Sequence, residues 1–293
     1  MRYGYYAGCY VLARMLQYDL SARNIMKKLN VKIIDMSDAP CCGPAIIKSV
    51  DYRLASALSA QILAMTEKRG LGTIVTLCPE CFSSFIKVNI GFEEDTEFKK
   101  EVNDILSSTA GLNYGGGVEV KHLLQVVYDD IGLKKLNEDY IVKKFRGLKA
   151  AVHPGCHFVR PSTSCYPDDP ANPRMLDELV ESLGIESLYW PLKLWCCGAP
   201  TLALDRDLSF ELAGKKLISA KASGADCMVT LCPYCQAQFD KYQPMIEKKL
   251  DEKFGLPVVL FTQLLGLSMG LSPEEVGLNM NRASSNTILN FIE

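Results

Sequence analysis

The sequence predicts an α/β protein made of two tandem, repeated Rossmann-like units of parallel strands, with cysteines at the strand-to-helix loops. Three observations carry this expectation. The apolar pattern alternates between strand and helix periods along each half. A group of five cysteines recurs in the same order in both halves. The run VTLCPxC, with a phenylalanine four residues past it, is written twice, in "TIVTLCPECFSSF" at 73–85 and "CMVTLCPYCQAQF" at 227–239.

The elements follow in order. In the first half, residues 1–146, "RYGYYAG" reads as a strand, "VLARMLQYDLSARNIMKKL" as an amphipathic helix and "VKIIDM" as a second strand. A helix opens after "CCGP" and runs through "AIIKSVDYRLASALSAQILAMTEKRG" to Gly70, a residue type that commonly closes helices. "LGTIVTL" is the next strand, and "PECFSSFIKV" opens the next helix. The second half, residues 147–293, repeats the rhythm. It has a strand in "LKAAVHPG", a helix around "MLDELVESLG", a Trp/Leu-rich strand before Cys196, a long helix to "ISAKASG" and a strand in "ADCMVTL".

With 293 residues, 48% of them hydrophobic, the chain can bury a sizeable core, and its length suits two domains. Its 32 basic and 34 acidic residues leave a net charge of −2, so no global field recruits nucleic acid or an anionic membrane. Apolar runs such as "GLPVVLF" stop short of the roughly 18–20 residues a spanning helix needs. No signal-peptide pattern is visible around "RYGYY", which reads as a strand, and the expected location is cytoplasmic.

Twelve cysteines are unusual in such a chain. Ten of them form C-x31-CC-x35-C-x2-C, from Cys9 through Cys41, Cys42 and Cys78 to Cys81, and C-x39-CC-x34-C-x2-C, from Cys156 through Cys196, Cys197 and Cys232 to Cys235. Each doublet precedes glycine, in "PCCGPA" and "WCCGAP", and each lone cysteine follows one, in "YYAGCY" and "HPGCHF". Gln125 and Gln263 add a weaker echo, lying equally far ahead of "IGL" and "MGL". A repeat of this length is domain-sized. Every cysteine of the pattern falls where a strand ends and a helix begins, the ligand-binding edge of a parallel sheet. Helix N-termini there favour thiolate over thiol.

Zinc takes four ligands whereas each group offers five, and adjacent cysteines suit neighbouring irons better than one tetrahedral ion. Groups of five cannot pair internally as disulfides. Iron–sulfur clusters therefore fit best, with zinc or plain thiol chemistry as the alternatives. The spacing is not that of the ferredoxin-type C-x2-C-x2-C-x3-C-P run.

The doubled motif, with "HPGCH" ahead of the second copy, resembles the cysteine-rich CCG domain, and nearly the whole chain resembles the B-subunit family of methanogen heterodisulfide reductase. That resemblance implies two non-cubane [4Fe-4S] clusters, one on Cys9, Cys41, Cys42, Cys78 and Cys81 and one on Cys156, Cys196, Cys197, Cys232 and Cys235. It implies reduction of the mixed disulfide of coenzyme M and coenzyme B, each cluster delivering one electron and taking one sulfur. Implied partners are the small ferredoxin-like subunit and the large flavin-bearing subunit of heterodisulfide reductase, with hydrogenase or formate dehydrogenase in the assembly. The chain itself has no flavin fingerprint or nucleotide loop, and "GLNYGGG" at 111–117 reads as a turn. A CCG-domain subunit of a lactate, glycolate or glycerol-3-phosphate oxidoreductase is an alternative, as is a zinc-bearing scaffold.

Other residues are weighed individually. His153 and His157 flank Cys156 and are candidates for donating a proton or hydrogen bond to a leaving thiolate, against a role in bonding the cluster sulfurs. Lys48, Lys193, Arg160 and Arg206 are candidate cations for an anionic substrate, against ordinary surface exposure. His122, Phe85 and Phe239 read first as structural, and Cys227 as a small hydrophobe in a strand. Cys165 lies in the Pro-rich loop "RPSTSCYPDDPANP", which has no counterpart in the first half and covers the cleft, contacts a partner or is a plain surface excursion.

Overall fold

The computed structural model describes residues 1–160, 167–283 and 285–293; Cys165 lies outside them. Two four-stranded sheets, each wholly parallel, organise the chain. The first holds β1 (Arg2–Tyr6), β2 (Lys32–Asp35), β3 (Thr73–Thr76) and β4 (Glu119–His122) in the order β2-β1-β3-β4. The second holds β5 (Lys149–His153), β6 (Glu186–Ser187), β7 (Cys227–Thr230) and β8 (Val258–Leu260) in the order β6-β5-β7-β8. The two orders are the same permutation, so the cysteine repeat is also a repeat of topology. In both sheets the order reverses beside the first strand, where the crevice of a doubly wound sheet opens.

The connecting helices of the first half are α1 (Cys9–Arg14), α2 (Leu16–Lys28), α3 (Ala45–Val50), α4 (Tyr52–Lys68), α5 (Pro79–Glu94) and α6 (Thr96–Ala110). After β4, a short α7 (Leu123–Gln125) continues as a π-helix over Val126–Ile131, and α8 (Leu133–Lys135) follows. The second half has α9 (Met175–Ser182), α10 (Arg206–Ala222), α11 (Pro233–Gln236), α12 (Gln243–Leu250) and α13 (Phe261–Ser268).

Three expectations change. The single helix expected over 11–29 is split at Met15, whose φ and ψ of −135° and 49° leave the helical region. The helix expected after the first doublet is split at Asp51, because its carboxylate accepts a hydrogen bond from the Leu54 N–H at 2.9 Å and starts a new helix. Asp205 caps α10 in the same way through the Leu208 N–H, also at 2.9 Å. The Trp/Leu-rich strand is reduced to the two residues of β6; after the Leu188 N–H bonds Ala150 O, the chain turns over 190–195. Trp190 is buried there with Nε1 donating to Val152 O at 3.0 Å, which pulls the chain out of the sheet plane.

Among the described residues one hydrophobic cluster spans both halves, running from Tyr5 and Tyr18 through Val229 to Leu264, and a smaller one around Trp190, Phe210 and Phe239 belongs to the second half. The helices of the two halves cross over reciprocally. α13 of the second half packs on α2 of the first, with Ser21 Oγ and Thr262 Oγ1 2.7 Å apart. From the helical segment after β4, the Tyr128 hydroxyl donates to Glu178 of α9 at 2.5 Å. The glutamine echo finds its reason here. The side chains of Gln125 and Gln263 accept from the backbone N–H of His122 and Leu260 at 2.9 and 3.1 Å, starting the two crossing segments.

The fully buried Tyr18 hydroxyl donates to Leu231 O at 2.7 Å, tying α2 to the loop that carries Cys232. Tyr18→Phe leaves that carbonyl buried without its donor, and the expected loss is about 1–3 kcal/mol in urea-unfolding stability.

Candidate metal-cluster site

Each of the ten patterned cysteines lies on the carboxyl edge of its sheet. Cys9 and Cys156 follow β1 and β5, the doublets follow β2 and β6, and Cys78 and Cys232 cap the helices after β3 and β7. In both of those helices proline occupies the first turn, where its missing N–H costs nothing. Cys9 and Cys196 are exposed, Cys41 and Cys156 half-buried, and the other six buried.

The glycine after each doublet is required by geometry. Gly43 and Gly198 have φ of 75° and 81°, and a Cβ there would sit 2.9 Å from Ala55 O and 2.5 Å from Ser209 O. Each glycine lets its doublet loop lie against the backbone of the following long helix. Gly198→Ala combines left-handed strain with a backbone clash, so an apparent loss of about 1–3 kcal/mol or more is expected by thermal unfolding.

The sulfurs draw together. Cys9 and Cys41 are 3.5 Å apart, Cys42 and Cys81 3.2 Å, and Cys197 and Cys235 3.3 Å. Among the described residues, no three His, Cys, Asp or Glu groups stand ready to hold a single metal ion. None of the described cysteines is in a disulfide. The thiols instead share protons. Hydrogen bonds from Cys42 and Cys9 pull Cys41 down to about 2, while that contact pushes Cys9 well up. In the second set, contact with Cys196 and Cys235 lowers Cys197, and contact with Cys197 raises Cys235. Five crowded thiolates repel one another unless cations replace the shared protons, and several linked irons supply that charge where one ion cannot. The donor set therefore fits a polynuclear iron–sulfur group.

The sets are contiguous. All five first-half cysteines line a small recess that also contains Pro44, Glu80 and Tyr234. The same three residues line a cavity of about 280 Å³ with Cys156, His157, Cys197, Cys232 and Cys235. Ala45, Ile46, Ala199, Pro200 and Ala203 give that cavity an apolar wall.

Across the junction, the middle residue of each CPxC meets the residue after the opposite lone cysteine. Glu80 Oε2 contacts His157 Nδ1, and Tyr234 stacks on Tyr10 with ring centroids 4.1 Å apart. Burial pushes the Glu80 carboxyl up, but His157 and Lys48 outweigh it and hold it at about 2. Burial pulls His157 down, but bonds to Cys156 and Glu80 outweigh that and raise it to about 10. For Tyr234, burial comes first and the first-half thiols Cys78, Cys9, Cys81 and Cys42 follow, all raising its hydroxyl.

His153 is buried against the second set, with Nδ1 3.0 Å from Lys193 O and Nε2 3.3 Å from Cys235 Sγ. A carbonyl only accepts, so the neutral ring carries its proton on Nδ1 and turns Nε2 to the sulfur. Its first-half counterpart is Tyr6. Phe85 and Phe239 are fully buried and meet Tyr6 and His153 nearly edge-on, at 5.6 and 5.5 Å. His122 is buried and caps α7, its Nδ1 accepting from the Leu124 N–H.

The four candidate cations are placed less centrally, and none lines the 280 Å³ cavity. Lys48 Nζ bonds Glu80 at 2.6 Å and Ser84 at 2.7 Å. Lys193 Nζ is 2.6 Å from the buried Asp177. Arg206 lies over the Phe210 ring, and Arg160 is exposed.

The description "Cysteine-rich domain", CCG, matches residues 3–86 and 150–240, the two stretches that hold the two cysteine sets. The chain belongs to the CCG cysteine-rich domain family. Among CCG relatives, the B subunit of the ferredoxin/F(420)H(2)-dependent CoB-CoM heterodisulfide reductase of Methanosarcina acetivorans is 33% identical, over 94% of this chain and 92% of its own. A protein of Archaeoglobus profundus described as like the B subunit of heterodisulfide reductase is 35% identical, over 94% and 93%. The 8-methylmenaquinol:fumarate reductase membrane anchor subunit of Wolinella succinogenes is 28% identical, over 95% and 96%. This CCG chain also shares its fold with a hypothetical protein from Helicobacter pylori, at a TM-score of 0.76 and 15% identity over 96% of this chain and 52% of that one. Among the described residues, no helix is long and apolar enough to cross a membrane.

Sequence reasoning passed over Glu80, Tyr234, Tyr10 and Lys216. The first two hold the variable position of a helix-opening CPxC, and Tyr10 follows a patterned cysteine, so the motif itself pointed to them.

Proposed function

We propose that this chain is the disulfide-reducing subunit of a CoB-CoM heterodisulfide reductase, with units divided at residues 146 and 147. The observation that carries the reading is the contiguity of the two five-cysteine sets, which share Pro44, Glu80 and Tyr234 across one cavity. Cys9, Cys41, Cys42, Cys78 and Cys81 would hold one [4Fe-4S] group of non-cubane type, and Cys156, Cys196, Cys197, Cys232 and Cys235 the other. When bound, the two groups would supply the two electrons that split a disulfide into two thiolates. A substrate with two sulfurs suits a site with two halves.

The protein's own residues do the rest. The apolar wall of Ala45, Ile46, Ala199, Pro200 and Ala203 takes alkyl carbon and excludes water. His157 lines the cavity beside Cys156 and is held by Glu80, which places an N–H where a leaving thiolate needs a proton. Lys48 holds Glu80 in turn. His153, at Cys235, acts on the sulfur rather than the substrate. Electrons arrive from partner subunits, one ferredoxin-like and one flavin-bearing, in a cytoplasmic assembly.

The test is an anaerobic assay with a reduced viologen dye as donor and the mixed disulfide as substrate. Dye oxidation that yields both thiols supports the reading. A chain loaded with iron that leaves the disulfide intact but oxidises a quinol analogue would favour a fumarate-reductase subunit, the reading that the full-length Wolinella relative supports.

A further inference from the structure

Helices α4 and α10 have the same length, 17 residues, and the same aspartate cap, so Tyr52–Lys68 and Arg206–Ala222 align without a gap. In that register the fully buried Ile62 of the first half corresponds to Lys216 of the second, which is 1% exposed. The second copy thus has an ammonium where the first has hydrocarbon.

The Lys216 Nζ donates to the carbonyl of Leu192, to Trp195 O at 2.9 Å and to Lys193 O at 3.3 Å, and lies 4.5 Å from the Trp190 ring centroid. Those carbonyls belong to the turn that ends in Cys196 and Cys197. Carbonyls and a ring face supply partial negative charge only, and among the described residues Lys216 forms no ion pair with a carboxylate. Burying an unpaired ammonium is costly, and Ile62 shows that the helix position accepts an apolar side chain. Burial pulls Lys216 down to about 8, against the opposing influence of Cys235, Cys197, Cys196 and Cys156, so it stays charged at neutral pH. These are four of the five sulfurs of the second set. Beside the first set, by contrast, Lys48 is paired with a carboxylate, that of Glu80 at 2.6 Å, which His157 also contacts.

We propose that Lys216 is a positioning residue whose unneutralised charge makes the iron–sulfur group on Cys156, Cys196, Cys197, Cys232 and Cys235 easier to reduce than its counterpart on the first set. The inference rests on the iron–sulfur reading above. One electron from an external donor, whether a redox partner or a reduced dye, adds one negative charge without a proton, and a buried cation stabilises that charge. The first electron therefore comes to rest on the second half, and the first half fills afterwards.

The test is a redox titration of the whole, anaerobically isolated chain followed by electron paramagnetic resonance, with iron and sulfide counted in every sample. Cys9→Ser exchanges a sulfur for an oxygen on the first set alone and so assigns the two signals. Lys216→Gln keeps N–H donors for the carbonyls but removes the charge, whereas Lys216→Arg keeps both. The expected result is that the higher midpoint belongs to the second half. In Lys216→Gln it falls by about tenfold in the one-electron equilibrium, about 59 mV, with the lower midpoint unmoved and Lys216→Arg close to the parent. An unmoved midpoint in an iron-replete Lys216→Gln overturns the proposal. So does assignment of the higher midpoint to the first half, which needs only the parent and Cys9→Ser if the glutamine variant fails to hold iron. A parent chain with zinc and no iron overturns the iron–sulfur reading itself, and this inference with it.

Discussion

Cys81→Ala, which offers no donor atom in place of the sulfur, should leave about four of about eight irons per chain, with sulfide falling in parallel, and should abolish disulfide cleavage. Cys81 is 4% exposed and its sulfur lies 3.2 Å from that of Cys42, so no water can take its place as a ligand. The loss should stay on one side, because the second set is built from its own sheet edge, on Cys156, the Cys196–Cys197 doublet and α11. Activity should nevertheless vanish, since a two-electron cleavage shared between two groups fails when either is missing. Iron, sulfide and zinc counted in one anaerobic sample decide this. If all the iron is retained, Cys81 is not a ligand. If the parent holds one zinc and about four irons, only one half carries redox chemistry and two-sided cleavage has to be abandoned.

His157→Asn should lower the dye-driven turnover by about a hundredfold or more while leaving iron and sulfide at the parent level, as expected for loss of a positioned proton donor. His157 lines the cavity, and the Glu80 contact from the opposite half fixes its ring. Asparagine keeps a hydrogen-bonding group toward Glu80 but cannot deliver a proton. Glu80→Gln should cost less, because His157 stays in the cavity and loses only its holder. Parent-level turnover in an iron-replete His157→Asn would assign the proton to water or to another group.

Much of this architecture is legible along the chain. The 2.0- and 3.6-residue periods gave the order of the first three strands of each half and the helices between them, because they report which local face is apolar. The doubled C…CC…CxxC spacing identified all ten candidate ligands and placed them at strand ends, since loops at one edge of a parallel sheet must lie together. The breaks at Met15 and Asp51 were missed because each is a one-residue departure inside a continuous helical pattern. β6 was expected to be longer because its Trp- and Leu-rich flank is apolar for a different reason. Trp190 packs inward and Lys216 gathers the carbonyls of the turn.

By itself, then, the sequence determined the repeat, the sheet class and the candidate ligand set, all of which are read from local spacing and its recurrence in the second half. Only the tertiary structure decided how the halves face each other. Glu80 meets His157 and Tyr10 meets Tyr234 across 76 and 223 intervening residues, respectively, and no periodicity reaches that far. It also decided which cations are free. Lys48 and Lys193 are matched to carboxylates, while Lys216, silent inside an ordinary helix, keeps its charge. The physical reason is that periodicity reports where a side chain points, whereas the charge left at a site depends on every group packed around it.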